Sequence, residues 1–258
     1  MVSNSNYVIA VANQKGGVGK TTTAVNFSCA LALRNKKVLL VDSDPQGNGS
    51  TGVGIRAQNR TKHLYQVLCG DVSAADSIQK TNVKNLFALP SNIDLVAAEL
   101  ELIGKKGRER FLKKSLKSVR SDFDYIIVDC PPSLGLLTVN ALTAADSVLI
   151  PLQCEYYAME GLAQLINTIR SVKGSFNKHL YIEGLLLTMF DTRNRLSHQV
   201  AGEITTHFGD QVFSTRIPRN VRLSESPSHG KTIMEYDNKS TGAQAYRALA
   251  SEFLKRQR

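Results

Sequence analysis

No apolar run in the chain approaches the ~20 residues that a membrane-spanning helix needs. The opening MVSNSNYVIA has neither the basic stretch nor the long apolar core of a secretory leader. These absences lead to the expectation of a cytoplasmic protein. Cysteine is scarce: Cys29, Cys69, Cys130 and Cys154 are widely spaced and form no CxxC pair, which favours buried free thiols over a metal or redox role. No Pro/Gly/Ser-rich linker, low-complexity tract or internal repeat interrupts the chain, so its 258 residues are expected to form a single domain, 1–258. A chain of this length buries roughly 70–75% of its unfolded surface, enough for a core without disulfide or metal staples. Acidic residues are also in deficit. Twenty-two of them against 32 lysines and arginines leave a formal charge of +10, which suits a polyanionic partner, nucleic acid or acidic lipid, without choosing between them.

What is present is an alternation of short apolar runs and helix-length segments. The runs fall at 7–12, 37–41, 85–89, 125–129, 147–152 and 182–188. They do not alternate polar with apolar, which fits strands buried on both faces of a parallel sheet. Helical segments are expected at 21–33, 94–103, 105–120, 160–172 and 197–208. This order predicts an α/β fold, a mostly parallel sheet with helices on both faces, with ligands bound beyond the carboxyl ends of the strands.

The chemistry-bearing motifs fall at those ends. The first strand runs into Asn13-Gln14-Lys15-Gly16-Gly17-Val18-Gly19-Lys20-Thr21-Thr22-Thr23. Glycines let successive backbone N–H groups turn toward phosphate oxygens, and the following helix adds its positive dipole end. Lys20 is expected to reach the β- and γ-phosphates of ATP, and the Thr21 hydroxyl to bind Mg²⁺. The loop departs from the usual GxxxxGK[ST] pattern: Gln14 replaces the first glycine, and an extra lysine, Lys15, stands beside it. The second strand ends in Asp42-Ser43-Asp44-Pro45-Gln46-Gly47-Asn48, and the run 125–128 ends in Asp129. Carboxylates at strand ends beside a magnesium triphosphate serve the metal or its waters. Asp129 reads as the acid of a Walker B strand.

The KGGVGKTT string resembles the deviant Walker A box of the ParA/MinD ATPases. That resemblance gives Lys15 a role across a dimer interface at the partner's nucleotide. It gives Asp44 the hydrolytic water and Asp42 an outer-sphere metal contact. The nucleotide cradle becomes Gly16, Gly17, Val18, Gly19, Lys20, Thr21 and Thr22, and the segment after Asp129 becomes a switch sensing the γ-phosphate. Longer strings narrow the resemblance to the chromosomal ParA branch, often called Soj: DCPPSLGLLTVNAL (129–142), PLQCEYYAMEGL (151–162), LLLTMFDTRNRLS (185–197) and IPRNVRLSESPSHGK (217–231). The resemblance implies an ATP-dependent homodimer that binds double-stranded DNA without sequence preference, associates with the nucleoid, and is released by hydrolysis that a ParB-type centromere-binding partner stimulates. It assigns DNA contact to Arg193 and Arg222, with Arg195 and Arg219 beside them, and places Pro218 against adenine. The start of the chain close to the first strand leaves no room before it for the helix-turn-helix of larger plasmid relatives, so autorepression is not expected.

Two features invite other readings. Residues 105–120, KKGRERFLKKSLKSVR, carry eight basic residues and one acid, Glu109, along an apolar stripe of Phe111, Leu112, Leu116 and Val119. A solvated helix face explains this, and a second DNA or partner contact is the alternative. In the tail, Tyr246, Leu249, Ala250, Phe253 and Leu254 recur at helical spacing ahead of Lys255, Arg256 and Arg258. Such a helix on an anionic bilayer would make the protein a MinD-like positioning ATPase; the Soj-like strings favour partition instead, with no stable membrane association. Iron-protein reductases and cluster scaffolds share the loop but need cysteine patterns absent here. A nucleotide-dependent ligase would need a small-substrate pocket, of which the sequence gives no sign.

Overall fold

The computed structural model describes residues 6–155 and 158–257; Tyr156 and Tyr157 of the 151–162 string, and Arg258 of the basic tail, lie outside the described residues. Seven strands build one sheet: β1 (Tyr7–Val11), β2 (Val38–Asp42), β3 (Gln79–Lys80), β4 (Leu86–Leu89), β5 (Tyr125–Asp129), β6 (Ser147–Gln153) and β7 (Tyr181–Thr188). Their order is β3-β4-β2-β5-β1-β6-β7. All neighbours are parallel except β3, which pairs antiparallel with β4.

The unalternating apolar pattern has a direct cause. Along β1, β2 and β5, Val8, Ala10, Leu39, Val41, Ile126 and Val128 join one core cluster. Their strand neighbours Ile9, Val11, Val38, Leu40, Tyr125 and Ile127 join the other. Successive side chains point to opposite faces, and both faces are covered. The helices are α1 (Lys20–Ala32), α2 (Asn48–Gly52), α3 (Leu64–Cys69), α4 (Ala74–Ser77), α5 (Leu95–Glu101), α6 (Phe111–Leu116), α7 (Leu136–Ala144), α8 (Ala158–Ser175), α9 (Arg195–Phe208), α10 (Val221–Glu225), α11 (Ile233–Tyr236) and α12 (Thr241–Arg256).

Several expected element ends shift by one to three residues, and three departures have a local cause or consequence. The 105–120 segment is not one helix: Gly107 adopts φ +74, a 3₁₀ turn follows at Arg108–Arg110, and only α6 is α-helical. Its apolar stripe still faces inward, with Leu112, Leu116 and Val119 buried. The 85–89 strand begins one residue later, because Asn85 turns at φ +67. The second strand extends one residue further than expected and includes Asp42. Of the cysteines, Cys29, Cys130 and Cys154 are free and buried, while Cys69 is free and partly exposed.

The tail helix α12 spends its apolar stripe on the core. Tyr246, Leu249, Ala250 and Phe253 are buried in the cluster that holds α1, and the Phe253 ring packs edge-on against Phe27 and Tyr125 at 5.2 and 5.4 Å. Arg256 lies over the Phe213 ring at 4.2 Å and donates to the Asp210 and Val212 carbonyls. No helix among the described residues is long and apolar enough to cross a membrane. Phe253→Ala should therefore cost about 3–5 kcal/mol of folding stability. Urea unfolding checks this, and a loss below about 1 kcal/mol would place the tail outside the core.

Candidate active site

Three adjacent strands deliver the site. β5 lies between β2 and β1, so the loop after β1 sits beside the acids that end β2 and β5. Helix α1 starts at Lys20 behind Gly19, which adopts φ +85, and Gly17 adopts φ +74; both are left-handed conformations that glycine takes at no steric cost. No side chain caps the α1 N-terminus and its first turn carries no acid, which leaves its N–H groups and dipole for an external anion. The loop is pinned from outside. Asn13 donates to the Pro151 carbonyl at 2.7 Å and accepts from the Lys15 amide at 3.0 Å, and Thr188 Oγ1 donates to the Val18 carbonyl at 2.8 Å. The Lys20 ammonium is buried and donates to the Lys15 carbonyl at 2.9 Å. Burial lowers its pKa, while Asp129 and Asp44 act against that.

Asp42 and Asp129 are register partners on β2 and β5, and both are fully buried. Asp42 is satisfied: Ser50 donates both its amide and its hydroxyl to Oδ2 at 2.6 Å, and the Asp44 amide reaches Oδ1 at 3.3 Å. Burial still pushes its pKa up to about 6. Neither oxygen of Asp129 receives a well-formed hydrogen bond. Burial and then the Asp42 charge hold its pKa well above the usual carboxylate range, and the nearby Thr21 hydroxyl offsets only part of this. A Cβ on Gly49 would stand 3.0 Å from the Asp42 carboxyl carbon and 3.2 Å from Asp129 Oδ2, so the first turn of α2 closes over both acids only because that residue is glycine. A buried carboxylate without a partner is costly. Asp129, with the Thr21 hydroxyl close by and Asp42 across the strand pair, fits a divalent cation as its counter-charge.

Asp44 lies just beyond β2 and is 8% exposed. Its Oδ1 accepts from the Gln46 amide at 2.9 Å, and its carbonyl accepts from Gly47 at 2.9 Å. Lys15 does not reach into the loop. Its ammonium pairs with Glu155 Oε2 at 2.5 Å, both side chains being about two-fifths exposed.

A cavity of about 410 Å³ adjoins the loop, lined by Gly19, Thr22, Met189, Pro218, Asn220 and Tyr246 among others; its place and size suit a nucleoside. Met189, at the end of β7, has φ +49, an uncommon conformation for such a residue and one that collects at functional sites. The cavity wall is stitched from two distant strings. Ile217 N–H donates to Leu187 at 2.8 Å and Phe190 N–H to Ile217 at 2.9 Å, around a parallel bridge between Phe190 and Pro218. Arg193, Arg195, Arg219 and Arg222 are all exposed on or next to these two segments. Arg193 pairs with Asp191 at 3.1 Å, and Arg222 with Glu225 at 3.0 Å. The sequence reading missed Ser50, Gly49, Glu155, Thr188 and Met189. The NGS turn after the DxDP segment was the one available signal; the rest depend on which strand ends meet.

The phosphate loop, the acid-tipped strands and the seven-stranded sheet define a P-loop ATPase. A family model described as an AAA domain matches residues 6–182. The chain is 55% identical over 245 residues to the sporulation initiation inhibitor protein Soj of Bacillus subtilis (strain 168), covering 95% of this chain and 97% of that protein. It is 51% identical over 260 residues to the chromosome partitioning protein ParA of Caulobacter vibrioides (strain NA1000 / CB15N), covering 100% and 97%. Among solved structures, a cobyrinic acid a,c-diamide synthase from Mycobacterium smegmatis with bound ATP analogue and magnesium is similar at a TM-score of 0.86 and 39% identity, over 97% of this chain and 95% of that one. The chain belongs to the ParA/Soj family of chromosome-partitioning ATPases, with ATP as its nucleotide and Mg²⁺ as its metal.

The buried acids make a test. The folded pKa of Asp129 lies above its ordinary 3.8, so the native chain binds a proton that the unfolded chain releases. Stability is then lost as pH rises from about 3.8 through the raised value. Asp129→Asn removes the titrating group. Without Mg²⁺, the variant should melt at or above the parent at pH 7 and show a flatter melting-temperature profile above the ordinary 3.8 of a free aspartate, while losing hydrolysis. A lower melting temperature at pH 7 would show that Asp129 is already compensated within the chain.

Proposed function

We propose that this chain is a single ATPase domain that switches DNA binding on with ATP and off with hydrolysis. Two ATP-bound chains meet face to face, coat duplex DNA on the nucleoid without sequence preference, and leave it when a ParB-type partner stimulates turnover. One observation carries this reading: the segments that wall the nucleoside cavity, 187–190 and 217–222, are the segments that hold or adjoin the four exposed arginines. Nucleotide and DNA would thus act on one stitched unit. Arginine forks suit phosphate oxygens, and backbone contacts carry no base information.

In this reading the loop 16–22 cradles the phosphates, Lys20 reaches the β- and γ-phosphates, and Pro218 lies against adenine. Thr21 and Asp129 hold Mg²⁺, with Asp42 beyond them; the bound metal neutralises phosphate charge. Asp44, with one oxygen fixed by the Gln46 amide, orients the attacking water with the other. Lys15 of each chain serves the opposite nucleotide. Leaving Glu155 costs little, since half-exposed ion pairs contribute about 0–1 kcal/mol, and a triphosphate offers more charge. The burial of Tyr246, Leu249 and Phe253 disfavours the MinD-like alternative, because the tail would have to leave the core to meet a bilayer.

Binding to random-sequence duplex DNA with ATP, ADP or no nucleotide, across a salt series, tests the proposal. Binding should require ATP and weaken steeply with salt, each phosphate contact adding about 0.9 to the slope of log K against log salt. Arg222→Glu and Arg193→Glu should each abolish or strongly weaken DNA binding and leave ATP affinity and ATP-dependent dimerisation intact. Unchanged DNA binding by both variants would reject these arginines. Sedimentation with anionic vesicles in place of DNA would reject the partition reading.

A further inference from the structure

Arg60 is a cation in the core without a carboxylate partner. It is 8% exposed, lies outside every motif of the nucleotide site, and makes no ion pair within 4 Å among the described residues. Instead its guanidinium reaches three acceptors on two segments, Thr51 and Ile55 on one and Ser91 on the other. Nε and Nη2 donate to the Ile55 carbonyl at 3.1 and 2.9 Å, Nη2 to Thr51 Oγ1 at 2.7 Å, and Nη1 to the Ser91 carbonyl, just beyond β4, at 3.0 Å. Gly47 packs against it so closely that a Cβ there would stand 2.1 Å from Nη1. Packing alone does not account for such a residue, because an apolar side chain of similar volume fills a core without the cost of desolvating a charge.

The contacts lead to the acids by two short routes. Thr51, which accepts from Arg60, donates to the Gly47 carbonyl at 3.1 Å, and Gly47 donates to the Asp44 carbonyl at 2.9 Å. On the other side, the Ser91 amide donates to Ser50 Oγ at 3.0 Å, and Ser50 donates to Asp42 at 2.6 Å. We infer that Arg60 is a positioning residue for ATP hydrolysis, a rigid fork that fixes the 44–51 segment from behind and thereby sets the aim of Asp44. This rests on Asp44 being the acid that orients water. The guanidinium also places a positive charge on the Asp42 side of the buried acids. Burial lowers its pKa, and the Asp42 charge opposes the change.

The test is steady-state hydrolysis by the full chain at saturating Mg-ATP. Arg60→Met should lower kcat by about 10–100-fold, the scale expected when a reacting group is misplaced by about 1 Å, with the KM for ATP within about threefold of the parent. Arg60→Lys should recover little, because a point charge cannot span three acceptors. Thr51→Val removes one acceptor and leaves the cation, so it should give a smaller fall in kcat with KM unchanged; it decides the matter if Arg60→Met does not fold. A folded Arg60→Met with kcat within twofold of the parent overturns the proposal, as does a loss expressed wholly in KM. Asp44→Ala, run in parallel, separates the two claims. If it turns over at the parental rate, the water-orienting role of Asp44 falls. An inactive Asp44→Ala beside an unimpaired Arg60→Met rejects only the role of Arg60.

Discussion

Asp42 and Asp129 end two neighbouring parallel strands in register, with nothing but the sheet between them. Two like charges in a core are tolerated only if one stays protonated or a cation joins them. Much of the surrounding architecture answers this constraint. Ser50 brings two donors to Asp42 from the first turn of α2, and Gly49 lets that turn approach without a clash. Lys20 brings positive charge near Asp129 and Arg60 near Asp42, and both donate to backbone carbonyls. Asp129 receives no well-formed hydrogen bond at either oxygen, so the pair is asymmetric: one acid is satisfied within the chain, and the other fits a cation as its counter-charge. The strand order sets its surroundings, because β1 flanks β5 and its loop brings Thr21 and Lys20 to the same spot.

The constraint reaches the surface through β7. Thr188 grips the phosphate loop at Val18, the next residue takes the strained Met189 turn, and the residue after that bridges to Pro218. Three positions further on lies Arg193. A shift in the phosphate loop therefore has a short, bonded path to the exposed arginines. Two of them, Arg193 and Arg222, are held by solvent-facing pairs with Asp191 and Glu225, the kind of pair that a phosphate can displace at small cost. Lys15 follows the same pattern with Glu155. The surface cations Lys15, Arg193 and Arg222 sit in loose pairs, whereas Lys20 and Arg60 are buried.

The parts legible in the sequence are those set by neighbours along the chain. Six of the seven strands are visible as apolar runs because both faces of the sheet are covered. The glycine loop and the acids at strand ends are local too. The breaks are local in a different way: Gly107 and Asn85 adopt positive φ, and the apolar stripe of 105–120 continues past the point where the helix stops, so periodicity alone overstates it. The two-residue β3 is too short to leave a pattern. Nothing in spacing tells that Glu155 faces Lys15, that 187–190 lies along 217–219, or that Arg60 folds back on Gly47. These depend on the strand order, and a linear reading does not contain it.

The site gathers most of what is unfavourable in the fold: a buried acid without partners, a second acid with a raised pKa, a buried guanidinium with no carboxylate and a methionine in a left-handed turn. Each is costly on its own, and the two apolar clusters on either side of the sheet must offset them. The tail helix matters here. By closing over α1 with Tyr246, Leu249 and Phe253, it completes the cluster that backs the phosphate loop, and Tyr246 Oη meets Thr23 at 3.2 Å within the core. A tail packed in this way supports the strain at the loop. In the proposed reading, nucleotide and metal would act twice in one place: they would complete the charge balance at Asp129, and a ligand that binds only the folded chain returns stability in proportion to the logarithm of its concentration over Kd.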